Sequence, residues 1–241
     1  MSMFPNSTTW SGASERDLAR EKVLFRFFNG VYAWMFVGLG ITALVGVLIS
    51  RSDAAMSMIY GHGSFVVLAM VLGTVVVAQA AQKVALDVNA TLGMVLFLLY
   101  AALIGAMTSY IYRVYPQATI GSAFLVTAGT FAVMSLIGMV TKIDLTRIGG
   151  ILTMAFIGIF LASLVNIFLR SEPLSWLITY AVVVIFVGLT AYYTQNLKVM
   201  ALANAENGVM LGRLQVIGSL MLYVAFINLF FSILRIMGSR R

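Results

Sequence analysis

Seven apolar stretches of about twenty residues each, separated by short charged or turn-forming breaks, dominate this chain. They occupy residues 30–50, 64–82, 91–112, 118–140, 148–169, 174–193 and 214–237. A helix needs about 20 apolar residues to cross roughly 30 Å of hydrocarbon. The stretches are continuous rather than alternating, which indicates spanning helices and not barrel strands. Only 10% of the residues are charged and 61% are hydrophobic. A soluble domain carries about 25% charged residues, so this surface must largely face lipid. The expected fold is an all-α integral membrane protein with seven transmembrane helices. A polar cytoplasmic tail is expected over residues 1–27 and a single membrane domain over 28–241. The tail has no apolar h-region beside it, and the first apolar run is long enough to span, so a cleaved signal peptide is not expected.

Composition removes several chemistries. Cysteine is absent, which excludes disulfides, thiolate catalysis and cysteine-rich metal sites. The single histidine, His62, sits in a Gly-His-Gly break, so no multi-imidazole centre can form. All eight acidic residues (Glu15, Asp17, Glu21, Asp53, Asp87, Asp144, Glu172 and Glu206) fall outside the apolar runs. Intramembrane proton relays and cation sites are usually built from buried carboxylates, and none is expected here. No nucleophile–base set, metal motif or phosphate-binding glycine loop is visible, so the chain reads as non-enzymatic, with no metal and no cofactor.

The net charge of +7 reads as topology rather than as nucleic-acid binding. With the N-terminus inside, nine Lys and Arg fall on the cytoplasmic side and six on the other. Three of those six, Arg235, Arg240 and Arg241, form a basic C-terminal end. That end would suit an even number of crossings or a re-entrant last segment, and conflicts with seven. Small residues at Gly38, Gly40, Gly46, Ser122, Gly129, Gly150 and Gly158 sit at spacings that let helix backbones approach, and read as ordinary packing positions.

Intramembrane polarity is concentrated in the last spans. Asn228 lies in the middle of an apolar run and is expected to face the bundle and bond another helix, because an unpaired amide in hydrocarbon is costly. Asn166 invites the same reading. Tyr193 and Gln195 stand where the sixth span meets the cytoplasmic interface. Arg235 closes the seventh near a surface, where it can snorkel or satisfy terminal carbonyls.

The stretch LTAYYTQNLK at 189–198 and the stretch LYVAFINLFFSILRIMG at 222–238 resemble the Bax inhibitor-1 (transmembrane Bax inhibitor motif) family, in its bacterial YccA-like branch. Supporting segments are MSLIG at 134–138, TKIDLT at 141–146 and ASLVNIFL at 162–169. The resemblance implies a seven-helix bundle of Bax inhibitor-1 type with the last helix central. It also implies a calcium or proton leak, a role in stress protection, and association with the membrane protease FtsH as substrate and modulator. Members usually carry an Asp where this chain has Tyr193 and a second Asp where it has Ala225. That pair answers to pH and calcium in the family. Two carboxylates can share a proton, whereas a phenol ordinarily titrates near pH 10 and a methyl group not at all. The calcium mechanism is therefore not carried over. The expected function is non-enzymatic contact with other membrane proteins, for example an FtsH-type protease, in a bacterial plasma membrane. The alternative is a pH-insensitive calcium or cation leak channel.

Overall fold

In hydrocarbon a backbone must satisfy its own polar groups, and the apolar runs accordingly form helices. The computed structural model describes residues 8–61 and 64–238, and among these it contains nine helices and no strand. They are α1 (Thr8–Ser50), α2 (Asp53–Tyr60), α3 (Ser64–Asp87), α4 (Ala90–Thr108), α5 (Ile111–Val114), α6 (Gln117–Val140), α7 (Thr146–Leu169), α8 (Glu172–Ala203) and α9 (Gly208–Gly238). Seven segments are long and apolar enough to cross a membrane, with α4 and α5 counted together. Each coincides with an expected run. His62, Arg240 and Arg241 lie outside the described residues.

The polar stretch before the first span is helical from Thr8 and continuous with that span. The last segment is an unbroken helix of 31 residues, about 46 Å long at 1.5 Å per residue. It crosses rather than re-enters, so the start of α1 and the end of α9 lie at opposite ends of the bundle. Contacts mark the two ends. At the amino end Gln215 Nε2, near the start of α9, donates to Arg26 O and Phe27 O at 3.4 Å. At the carboxyl end Arg113 Nε donates to Ser50 O at 2.7 Å, and its guanidinium pairs with Asp53 at 2.7 Å.

Burial puts α9 at the centre. It packs against α1, α3, α4, α6 and α8. Tyr223, Phe226, Leu222 and Leu229 along it are almost wholly buried. By contrast α7 rests chiefly on α8, and Gly149 is its one buried residue. Two glycines allow backbones to touch. A Cβ at Gly138 of α6 would lie 2.3 Å from the Ala191 carbonyl oxygen of α8, and one at Gly105 of α4 would lie 2.6 Å from Thr42 O of α1.

The expected packing positions are only partly occupied as such. Gly38 lies against Phe97 and Tyr223, and Gly46 against Tyr112. Gly40, Gly129, Gly150 and Gly158 have nothing within 4 Å, and Ser122 is exposed with its hydroxyl donating to Ala118 O. Spacing along a helix says that small residues share a face. It does not say whether that face meets a helix or lipid.

The short α2, read only as a break in the sequence, has ordinary local causes. The Ser52 hydroxyl accepts from Ala55 N at 3.2 Å, and Asp53 stands in the first turn against the positive end of the helix.

Candidate functional site

The stretch 189–198 of α8 presents three polar side chains to α6 and to the loop after it, and each makes a definite bond. Thr194 Oγ1 lies 3.0 Å from Ser135 Oγ, whose hydroxyl lies 2.5 Å from Tyr32 OH. Gln195 uses both ends of its amide on the α6–α7 loop: Nε2 donates to Ile143 O at 2.8 Å and Oε1 accepts from Leu145 N at 2.8 Å. Lys198 Nζ donates to Met139 O in the last turn of α6 at 2.6 Å, where a cation also suits the helix dipole.

Proton counting gives the hydroxyl chain a direction. Thr194 Oγ1 donates its one hydrogen to Thr190 O at 2.9 Å. Ser135 must then donate to Thr194, and Tyr32 to Ser135. The chain ties α1, α6 and α8 together and ends on a carbonyl that can only accept.

A second chain ties α1, α4 and α9. Thr42 Oγ1 shares its one hydrogen between Ala101 O at 2.9 Å and Gly38 O at 3.0 Å, so Tyr223 OH, 2.5 Å away, is the donor to Thr42. Phe97 and Tyr100 close edge-on around the Tyr223 ring at 5.4 and 5.7 Å. Both chains are satisfied, and neither contains a group that titrates near neutrality.

Tyr193 and Ala225 carry no acid into this interior. The Tyr193 ring lies against Tyr192 at 5.6 Å, and Ala225 is fully buried. All eight acidic residues stand in the polar first part of α1, at helix ends or in loops. Among the described residues there is no cluster of three His, Cys, Asp or Glu side chains that could hold a metal.

The two asparagines do not bond other helices. Asn228 is half-buried and its Nδ2 donates to Val224 O, one turn back on α9, at 2.8 Å. Its own helix thus supplies the acceptor that a second helix was expected to provide. Asn166 Oδ1 accepts from Ser171 N at 3.0 Å, closing the tight turn in which Arg170 holds a left-handed φ of 51°. Arg235 lies 5.1 Å over the Trp176 ring and donates to Ser175 O at 3.4 Å. It does so at the carboxyl end, in a cavity of about 460 Å³ shared with Glu172. This is the surface position expected for it, with a partner helix added.

Cavities follow the seam between α1 and α6. At the amino end one of about 360 Å³ is lined by Glu21, Asn29, Tyr32, Met139 and Lys198. The next, about 300 Å³, shares Tyr32 and Met139 with it and reaches Phe226. A third, about 320 Å³, begins on the other side of Phe226 and continues past Thr42 towards Tyr112.

The chain matches the family model described as "Inhibitor of apoptosis-promoting Bax1" over residues 24–241. It is 45% identical over 215 residues to inner membrane protein YbhL of Escherichia coli, across 88% of this chain and 90% of that protein. An uncharacterized protein of Borreliella burgdorferi is 38% identical over 229 residues, 93% of this chain and 98% of its own length. One of Deinococcus radiodurans is 36% identical over 214 residues, 89% and 90% respectively.

Proposed function

The chain belongs to the Bax inhibitor-1 family, and from that membership we propose that it is a non-enzymatic, multi-pass protein of a bacterial inner membrane that acts through contacts with other membrane proteins in stress protection. The inner-membrane placement rests on the seven apolar helices and on the name of the Escherichia coli relative. A cytoplasmic N-terminus rests on the distribution of Lys and Arg. The partner that suits this role is a membrane-bound quality-control protease of FtsH type, or a larger membrane complex.

One observation carries the reading. The bundle interior is tied by satisfied hydroxyl chains and has no carboxylate at Tyr193 or Ala225, so the family's acid switch has no counterpart at those positions. Calcium is held by carboxylate and carbonyl oxygens in sets of six to eight, and this interior supplies no carboxylates. The family scaffold is present without the acid switch, which leaves protein contact as the activity it supports. The test is affinity purification in mild detergent at native expression. A reproducible membrane-protein partner is expected, and recovery of the protein alone would overturn the reading.

The cavities between α1 and α6 favour a second reading, a cation leak that does not depend on pH. It predicts calcium entry into proteoliposomes, followed with an internal dye, at one rate from pH 5 to pH 8. The contact reading predicts no flux at any pH.

A further inference from the structure

We propose that the amino-end half of the α1–α6 seam is a binding site for one membrane glycerophospholipid with a zwitterionic amino headgroup of the phosphoethanolamine type. Its acyl chain lies in the crevice and its headgroup sits between Glu21 and Lys198. The site is independent of the function proposed above.

Depth supports the assignment. The cavity at the amino end and the one below it both touch Tyr32 and Met139 and follow one another along the α1–α6 seam from Glu21 down to Phe36 and Phe226, with the Tyr32–Ser135 bond crossing between the two helices where they meet. Fifteen residues of helix α1 separate Glu21 from Phe36, a rise of about 22 Å. Half of a bilayer, headgroups included, is about 20–22 Å thick. The buried Phe226 ring, in contact with Phe131 at 5.5 Å, closes the crevice at that depth and separates it from the cavity of the opposite half. A lipid of one leaflet fits that length, with Phe226 as its floor.

Chemistry along the crevice changes as a lipid's does. Below Tyr32 the walls are Met35, Phe36, Ala128, Ala132 and Leu136, without a charge. The outward residues Phe36 and Leu136 are 55% and 59% exposed, so the crevice opens sideways to the bilayer. At the mouth stand one carboxylate, Glu21, and one ammonium, Lys198, which are not ion-paired with each other. Lys198 commits a hydrogen to Met139 O and keeps others for a phosphate oxygen. Glu21 offers only acceptors, which suits a primary ammonium and not a second phosphate. One cation and one anion above an apolar slot complement a phosphate and an amine on one headgroup.

The experiment is native mass spectrometry of the whole protein in mild detergent, titrated separately with phosphatidylethanolamine, phosphatidylcholine and phosphatidylglycerol. One phosphatidylethanolamine per protein is expected to bind in preference to the other two. Ala132 is exposed at the crevice wall, so Ala132→Trp fills the slot from the lipid side and is expected to abolish the preference. Glu21→Gln alters an exposed side chain outside the packed core. It is expected to weaken phosphatidylethanolamine binding by about threefold to fivefold, the scale of one partly exposed ion pair, and to leave phosphatidylglycerol unchanged. Equal binding of the three lipids by the unaltered protein, or an unchanged preference in Glu21→Gln, would overturn the proposal. If Ala132→Trp fails to fold, the Glu21→Gln comparison decides alone.

Discussion

Gln195 shows how much one side chain can organise where a helix meets a loop. Its amide closes on Ile143 O and Leu145 N at 2.8 Å each, so α8 holds the loop after α6 in addition to the loop's own bonds at Thr141 and Asp144. Gln195→Ala removes a donor and an acceptor from a partly buried backbone that water can reach only in part. A loss of about 1–2 kcal/mol is expected, measured as reversible unfolding in detergent or bicelles. Asn228→Leu should behave differently. Its amide bonds its own helix at 2.8 Å, so replacing it returns an apolar surface and removes no tie between helices. Stability within about 0.5 kcal/mol of the unaltered protein is expected. A loss above 1 kcal/mol would show a partner on another helix. Before the fold is known the two residues look alike, as amides in or near an apolar run. Only the position of neighbouring carbonyls separates them.

At the level of elements, α6 and α8 are joined near the carboxyl end of α6 by a backbone contact and by polar clasps together. Gly138 lets the Ala191 carbonyl approach to where a Cβ would be 2.3 Å away. Gly138→Val would push the two helices apart against backbone that cannot yield. A destabilisation of about 1–3 kcal/mol is expected by the same unfolding measurement, whereas Gly129→Val on the open face of α6 should change little. The start of α7 has a pH signature. The Thr146 side chain and backbone amide both bond the Asp144 carboxylate, the latter at 2.9 Å, and hold its pKa below the usual 3.8. A carboxyl lowered in the folded state contributes fully above pH 3.8, and the contribution is lost as pH falls through the lowered value. Amide exchange at Thr146, corrected for its intrinsic rate, should therefore accelerate below pH 3.8 in the unaltered protein and show no such step in Asp144→Asn.

For the whole molecule, the unbroken α9 makes the crossing number odd. Reporters fused to the two ends of the chain should report opposite sides of the membrane. Finding both on one side would mean that α9 does not cross. The basic C-terminal end pulls against this arrangement, but an apolar helix of 31 residues at the centre of the bundle has no exposed backbone to turn on. Central burial of α9 also explains why polar groups along its middle are bonded within protein, in a hydroxyl chain at Tyr223 and to backbone carbonyls at Ser219 and Asn228. Every face of α9 meets another helix, so each donor there must find its acceptor in protein.

The sequence by itself determined the class of molecule, the seven apolar helices, the lack of cysteine and the placement of every acid outside the apolar runs. These follow from how many apolar residues cross a bilayer and from which residue types hydrocarbon excludes. It also identified 189–198 and 222–238 as the informative stretches. Tertiary structure alone decided what those stretches hold. Thr194, Gln195 and Lys198 grip the end of α6 and its loop, Tyr223 reaches Thr42 some 181 residues away, and the asparagines turn back on their own backbone. Hydropathy is a property of each residue and survives reading along the chain. A hydrogen-bond partner, a glycine's neighbour or a crevice between α1 and α6 depends on where distant segments stand in space, and no periodicity records that.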